Sequence, residues 1–233
     1  MDIQSYQPIE LFAKQQQFFE YINKIYRNLV PQTPILLLQE NLARDGWVIP
    51  INKKEFKNID YSSFNINTDI ISIYEDNNEN ILHSIQQEIL DEIQQISTKK
   101  QFKEATECYD AGLYYACTYS LSPIIEGLIE NKISPRSIKV IKSFENMTEE
   151  LQKGLIKDPK IRLFILLKTY IENCYAKDSD FSKDEPDFIN RHWIAHGRYK
   201  TREMTKVDCL KLFSALYAMV KVIRFCKELE ANV

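Results

Sequence analysis

Glycine and proline are scarce in this chain, at five and eight residues among 233. A β-sandwich or barrel needs frequent turn residues, so the shortage excludes those folds and favours helices. No apolar run reaches the ~18 residues of a membrane span, so no membrane partner is expected. There is no CxxC pair and no Cys/His cluster with zinc spacing, which argues against a zinc module or a thioredoxin-like centre. A Gly-rich phosphate loop, a GxSxG elbow and the kinase signatures are also missing. The sequence shows no internal repeat and no low-complexity tract. Histidine is scarcer still, with three residues.

What is present is the mix of an ordinary globule, 44% hydrophobic and 27% charged. The length suits one large domain or two small ones. Net charge is −3 and the pI about 5.8, so any nucleic-acid binding must be local rather than spread over the surface. Five cysteines, an odd number without close pairing, read as reduced thiols on apolar helical positions. The opening MDIQSYQPIELF lacks the basic start and apolar run of a signal peptide. A cytoplasmic location is the expectation.

Apolar spacing predicts the elements. Leu11, Phe18, Ile22, Ile25 and Leu29 mark a first helix, ended by PQTP at 31–34. A second covers about 34–44 and stops at Gly46. Trp47 in the GWVIP loop is expected to anchor packing. Residues 51–70 read as irregular, with one short strand near Ile70–Tyr74. EDNNEN at 75–80 is a loop that caps a helix over Ile81–Ile96. STKK at 97–100 suggests a boundary between an N-terminal helical region, 1–98, and a C-terminal helical domain, 99–233. A long helix then runs from Phe102 to about Asn131, kinked or split at Pro123. SPRS at 134–137 turns a helical hairpin, and another helix spans Ile161 to about Ala176. KDSDFSKDEPD, 177–187, is an acidic loop. Pro186 suits the first turn of a short helix that stops at His196, with Gly197 just past its end. Thr205 and Asp208 have capping-box spacing ahead of a last helix, Lys206 to about Leu229. The expected fold is an all-α helical bundle.

Two of the three histidines fall in INRHWIAHGRYK, 189–200. Arg191 and His196 lie five residues apart, roughly 140° around a straight helix. They do not share a face. They can meet if the helix ends at His196 and that side chain swings over the terminus. They can also meet if a second copy faces the first, as a two-fold dimer allows. Histidine accepts and returns protons near neutral pH. Arginine grips phosphate oxygens through paired hydrogen bonds. Such a pair suits attack of an RNA 2′-hydroxyl on its own phosphate, with no metal required. From Arg191 to Lys206 there are five basic residues (Arg191, Arg198, Lys200, Arg202, Lys206) and one acid, Glu203, a local +4. An RNA phosphate would be drawn to that strip. The plain alternative is a charged, solvated turn around a chance R-x4-H spacing.

These residues resemble a known family. Arg191-His192-Trp-Ile-Ala-His196 is similar to the R-x4-6-H motif of HEPN domains, in which the residue after the arginine is usually Asn, Asp or His. GLYYACTYSLSPIIEGLI, 112–129, resembles the core helix that precedes that motif. The likeness covers roughly 100–233. It implies an all-α homodimer with facing motifs and a metal-independent endoribonuclease, commonly in bacterial toxin or antiphage (abortive infection) systems. It implies RNA as substrate, no cofactor, and an antitoxin or second defence subunit as a further partner. Carried onto this chain, Arg191 and His196 are the catalytic residues. Asn190, His192, Arg198 and Lys200 are the supporting or RNA-contacting set. Some relatives carry a tyrosine two positions after the histidine; Arg198 stands there, so Tyr199 is not assigned that role.

Glu126 joins the supporting set on other grounds. On a helical wheel Leu113, Ala116, Cys117, Leu121, Ile124 and Leu128 share one face, while Tyr115, Tyr119, Ser122 and Glu126 lie nearly opposite. That second stripe would line a dimer interface or an RNA groove. Two rivals stand beside the nuclease. His192 and His196 have metal-ligand spacing at i, i+4, but Trp193 sits where a zinc protease has its glutamate, and no third ligand stands out. A HEPN-like dimer can also serve as a scaffold or as a nucleotide- or RNA-binding module without cutting anything. His83 reads as a surface residue.

Overall fold

The structure is a computed structural model that describes residues 39, 41–51, 53–56, 66–75, 81–132, 163, 166–167, 169–175 and 185–231. The expected first helix, the loop at 76–80, the hairpin turn at 134–137 and most of the acidic loop lie outside these residues. Every regular element among them is helical, and the fold is all-α. The helices are α1 (Ile66–Glu75), α2 (Ile81–Glu92), α3 (Ile96–Asp110), α4 (Tyr114–Lys132), α5 (Arg191–Ala195) and α6 (Lys206–Ala231). A 3-10 turn spans Lys54–Phe56 and a π-helical turn Ile171–Tyr175. Among the described residues, no helix is long and apolar enough to cross a membrane.

Three expectations change. The segment Ile70–Tyr74 is helical, not a strand. Its β-branched isoleucines favour strands locally, but Ile70 and Tyr74, four residues apart, are both buried on one helical face. The break near residue 100 falls earlier, at Ile93–Gln95, and STKK lies within α3. The long helix over 102–131 is two helices, parted at Gly112 and not at Pro123. Gly112 takes φ +74°, where a side chain is strained, and the backbone turns there. Pro123 sits exposed inside α4, and Gln101 Nε2 donates to the Ser120 carbonyl in the turn before it (2.9 Å).

α6 is the centre. From Asp208 to Val220 every residue is buried, as in a helix covered on all sides. It packs on α4 and α2; α4 also packs on α3, and α1 on α2. Phe213 meets Phe102 and Tyr109 of α3 edge-on, at 5.9 and 5.7 Å between ring centres. The buried Asp208, Lys211 and Ser214 of α6 are bonded, which removes the cost of burying them. The Ser214 hydroxyl lies 2.5 Å from that of Tyr74, and Lys211 Nζ donates to the Asp45 carbonyl (2.7 Å). Burial pushes the Lys211 amine below its ordinary pKa, against the pull of Asp208. Trp47 anchors packing as expected: it is 1% exposed and stacks with Tyr74. Cys117, Cys174 and Cys209 are buried and Cys108 half-buried. Burial pushes the Cys174 thiol up to about 12, so it stays protonated.

On the rim of α2, Glu88 accepts from Lys53 and, at 2.5 Å, pairs with Lys221 of α6. Partial burial works against its charge, but the hydrogen bonds from the two lysines prevail and hold its pKa below the usual glutamate value. A depressed folded pKa stabilises above the unfolded value and is lost as pH falls through the folded one. The difference in urea midpoint between the wild type and Glu88→Gln should therefore shrink as pH drops from about 6 to about 3. A constant difference across that range would remove the charge from the account.

Candidate active site

α5 is a single turn with both ends fixed by its own sequence. Asn190 caps it: the side-chain oxygen accepts from the N–H groups of His192 (2.9 Å) and Trp193 (3.3 Å). The helix starts there and not at Pro186, because Asn190 supplies the acceptor that the first N–H groups need. It ends where expected. Gly197 takes φ +58°, its N–H donates to Ile194 O (3.0 Å), and the Arg198 N–H donates to Trp193 O (2.9 Å). That pair of bonds is a Schellman motif, which needs a left-handed residue just past the helix. His196 is thereby the last residue of the turn, and it is exposed.

The loop after the turn folds back onto it. Tyr199 packs against Trp193 at 5.7 Å. Its hydroxyl donates to Phe188 O (2.8 Å) and accepts from the Asn190 N–H (2.8 Å). Burial pushes this phenol up to about 12, so it remains a neutral tie. Glu185 accepts from the N–H groups of Lys200 (2.8 Å), Thr201 (3.1 Å) and Arg202 (2.6 Å). These bonds, that from Lys200 foremost, hold its carboxyl below the usual range. Arg202 pairs with the buried carboxylate of Asp208. The same carboxylate accepts from the Thr205 N–H (2.8 Å) and hydroxyl (2.9 Å) at the start of α6. The capping spacing is thus real, with Asp208 reaching back to Thr205.

Arg191 forms an ion pair with Glu126 of α4, each side chain about a third exposed. Its Nε is buried without a hydrogen-bond partner among the described residues. The His192 and His196 rings stack in parallel, 6.3 Å between centres and 10° between planes. The turn thus joins Arg191 to Glu126 at its start and His196 to His192 at its end. Along one turn Arg191 and His196 stand about 7.5 Å apart in height and on different faces. Asn190 is buried as the cap, while Arg198 and Lys200 are exposed.

The α4 stripe is partly as expected. Tyr115 and Tyr119 are exposed, at 50% and 43%, and Glu126 is half-buried on the same side. The Tyr115 hydroxyl lies 3.4 Å from Arg202 O. Ser122, however, is buried, and Leu113 and Ala116 are exposed. Leu113 belongs to the break between α3 and α4, so the wheel drawn through it does not apply. His83 is exposed on α2. Among the described residues, no group of three or more His, Cys, Asp or Glu is placed to hold a metal ion.

Glu185 and Tyr199 were not legible as organising residues. Their partners lie 9 to 17 positions away along the chain, and no local spacing encodes such contacts. No protein-family model, curated protein or solved structure matches this chain.

Proposed function

We propose that this protein is a metal-independent endoribonuclease in which Arg191 and His196 carry the chemistry. The observation behind the reading is the arrangement of α5. One capped turn holds Arg191 against Glu126 and leaves His196 exposed at its end, within a strip rich in basic residues. In this reading His196 takes the proton of a 2′-hydroxyl as that oxygen attacks the adjacent phosphorus. The 5′-oxygen leaves with a proton taken from water, and a 2′,3′-cyclic phosphate remains. Arg191 neutralises the charge that builds on the phosphoryl oxygens. Glu126 fixes the guanidinium, so less freedom is lost when phosphate binds. His192 stacks on His196 and limits its rotation. Arg198 and Lys200 attract the RNA backbone.

Because Arg191 and His196 occupy different faces of one turn, the pair is best completed across a homodimer, each chain lending one residue to the other's site. Mixing Arg191→Ala with His196→Ala chains tests this. Each mixed dimer regains one intact site. Random pairing makes half the dimers mixed, so about a quarter of wild-type cleavage should return. If the pair works within one chain, the mixture stays as silent as either variant alone.

A role in a bacterial toxin or antiphage defence system, with an antitoxin or second subunit as partner, follows from the resemblance to HEPN domains. A second reading, a non-catalytic dimeric scaffold or RNA-binding module, draws on the exposed Leu113, Tyr115 and Tyr119 of the α3–α4 edge. Apolar surface of that kind suits a partner as well as a substrate.

A further inference from the structure

We propose that the backbone of Lys200, Thr201 and Arg202 is a phosphate-binding cradle for RNA, and that Glu185 occupies it as an internal competitor. The proposal rests on the reading of RNA as ligand, but not on its cleavage. Three consecutive N–H groups converge on one carboxylate: Oε2 takes those of Lys200 and Thr201, and Oε1 takes that of Arg202. Successive N–H groups pointing into one concavity form a recurrent anion site, selective for oxyanions by geometry and not by side chain. A phosphodiester presents two oxygens and one negative charge, as a carboxylate does, so either ligand satisfies the same donors.

The surroundings favour phosphate. Lys200 and Arg198 are exposed beside the cradle. The bonds from Lys200 and Thr201 to Glu185 are themselves at the surface, so an incoming anion can reach them. Lys200 lies four residues beyond His196, at most about 14 Å of chain away. A phosphate held there belongs to the same strand as the one at the candidate catalytic residue. Glu185 would then weaken RNA binding until a strand displaces it. That arrangement supplies the chain with a built-in restraint.

The test uses full-length protein with Glu185→Ala and Glu185→Gln. Glu203→Gln serves as control, removing an equal charge from an exposed position in the same strip. Two probes are used: a short 2′-O-methyl oligouridylate, which cannot be cleaved by 2′-oxygen attack, and inorganic phosphate. Fluorescence anisotropy should show the oligonucleotide binding Glu185→Ala more tightly than wild type by on the order of tenfold. Glu185→Gln should fall between them, because the amide still offers one neutral acceptor, and Glu203→Gln should shift affinity less than either. Phosphate should move the amide resonances of Lys200, Thr201 and Arg202 at lower concentration in both Glu185 variants than in wild type. If Glu185→Ala disorders the loop, the order of Glu185→Gln and wild type still decides. Equal or weaker binding in both variants, with those amides insensitive to phosphate, would show that Glu185 is only a structural tie. Tighter binding in both Glu185 variants, with no cleavage of the matching unmodified oligouridylate, would leave the cradle standing and remove the nuclease.

Discussion

Replacing His196 with alanine should lower RNA cleavage by on the order of 10²–10⁴-fold, the usual worth of a positioned proton-transfer group. The same change should barely touch the fold. His196 is exposed at the end of α5, and the backbone bond from its N–H to His192 O does not depend on the side chain. Substitutions at such surface positions stay within about 0.5 kcal/mol. Circular dichroism and thermal melting of the variant should overlay those of the wild type while cleavage disappears. Arg191→Ala should also lose activity, but it strands the Glu126 carboxylate at one-third exposure and so carries a structural side effect. His196 is therefore the cleaner probe. A His196→Ala protein that still cleaves RNA would remove His196 from the chemistry.

The largest loss of stability is expected from Phe213→Ala. This side chain is fully buried on the central helix and meets Phe102 and Tyr109 edge-on, so it fastens α6 to α3. Truncation removes the ring's transfer free energy and leaves a cavity, together about 3–5 kcal/mol. Domains of this kind hold only about 5–15 kcal/mol in total. The variant should unfold at a much lower urea concentration and bring α3, α4 and α6 apart together. A loss under about 1 kcal/mol would mean that the packing around α6 is looser than described.

Local spacing in the sequence carried α6, the start of α2 and the end of α5 well, while α2 stops at Glu92 and not Ile96, and α5 starts after Asn190 and not at Pro186. Ile81, Ile85 and Ile89 recur every four residues, and all three are buried. The pair Asn190 and Gly197 bounds one turn by chemistry that needs no distant partner. Where local and tertiary preferences compete, the sequence misleads. Ile70, Ile71 and Ile73 look like a strand, yet burial of Ile70 and Tyr74 on one face makes them helix. Pro123 looks like the break in a long helix, yet the surface tolerates its ring, and Gly112 turns the chain eleven residues earlier.

The candidate site divides in the same way. The i, i+4 spacing of His192 and His196 reads as metal-ligand spacing, and in the folded chain the two rings stack on each other. A helical wheel placed Glu126 beside Tyr115 and Tyr119, but nothing in the spacing from 126 to 191 announced its ion pair with Arg191. Glu185 looked like one acid among five in a solvated loop, and only the folded chain brings three N–H groups onto it.

The most direct measurement is cleavage of a defined RNA by the purified protein in excess EDTA, with the product ends identified. A matching strand carrying a single 2′-deoxy residue at the cut site is run alongside. Attack by the neighbouring 2′-oxygen predicts cleavage in EDTA, a 2′,3′-cyclic phosphate on the upstream product, and an uncut deoxy linkage. Cleavage that stops in EDTA, or that proceeds at the deoxy linkage, would contradict the roles given to Arg191 and His196.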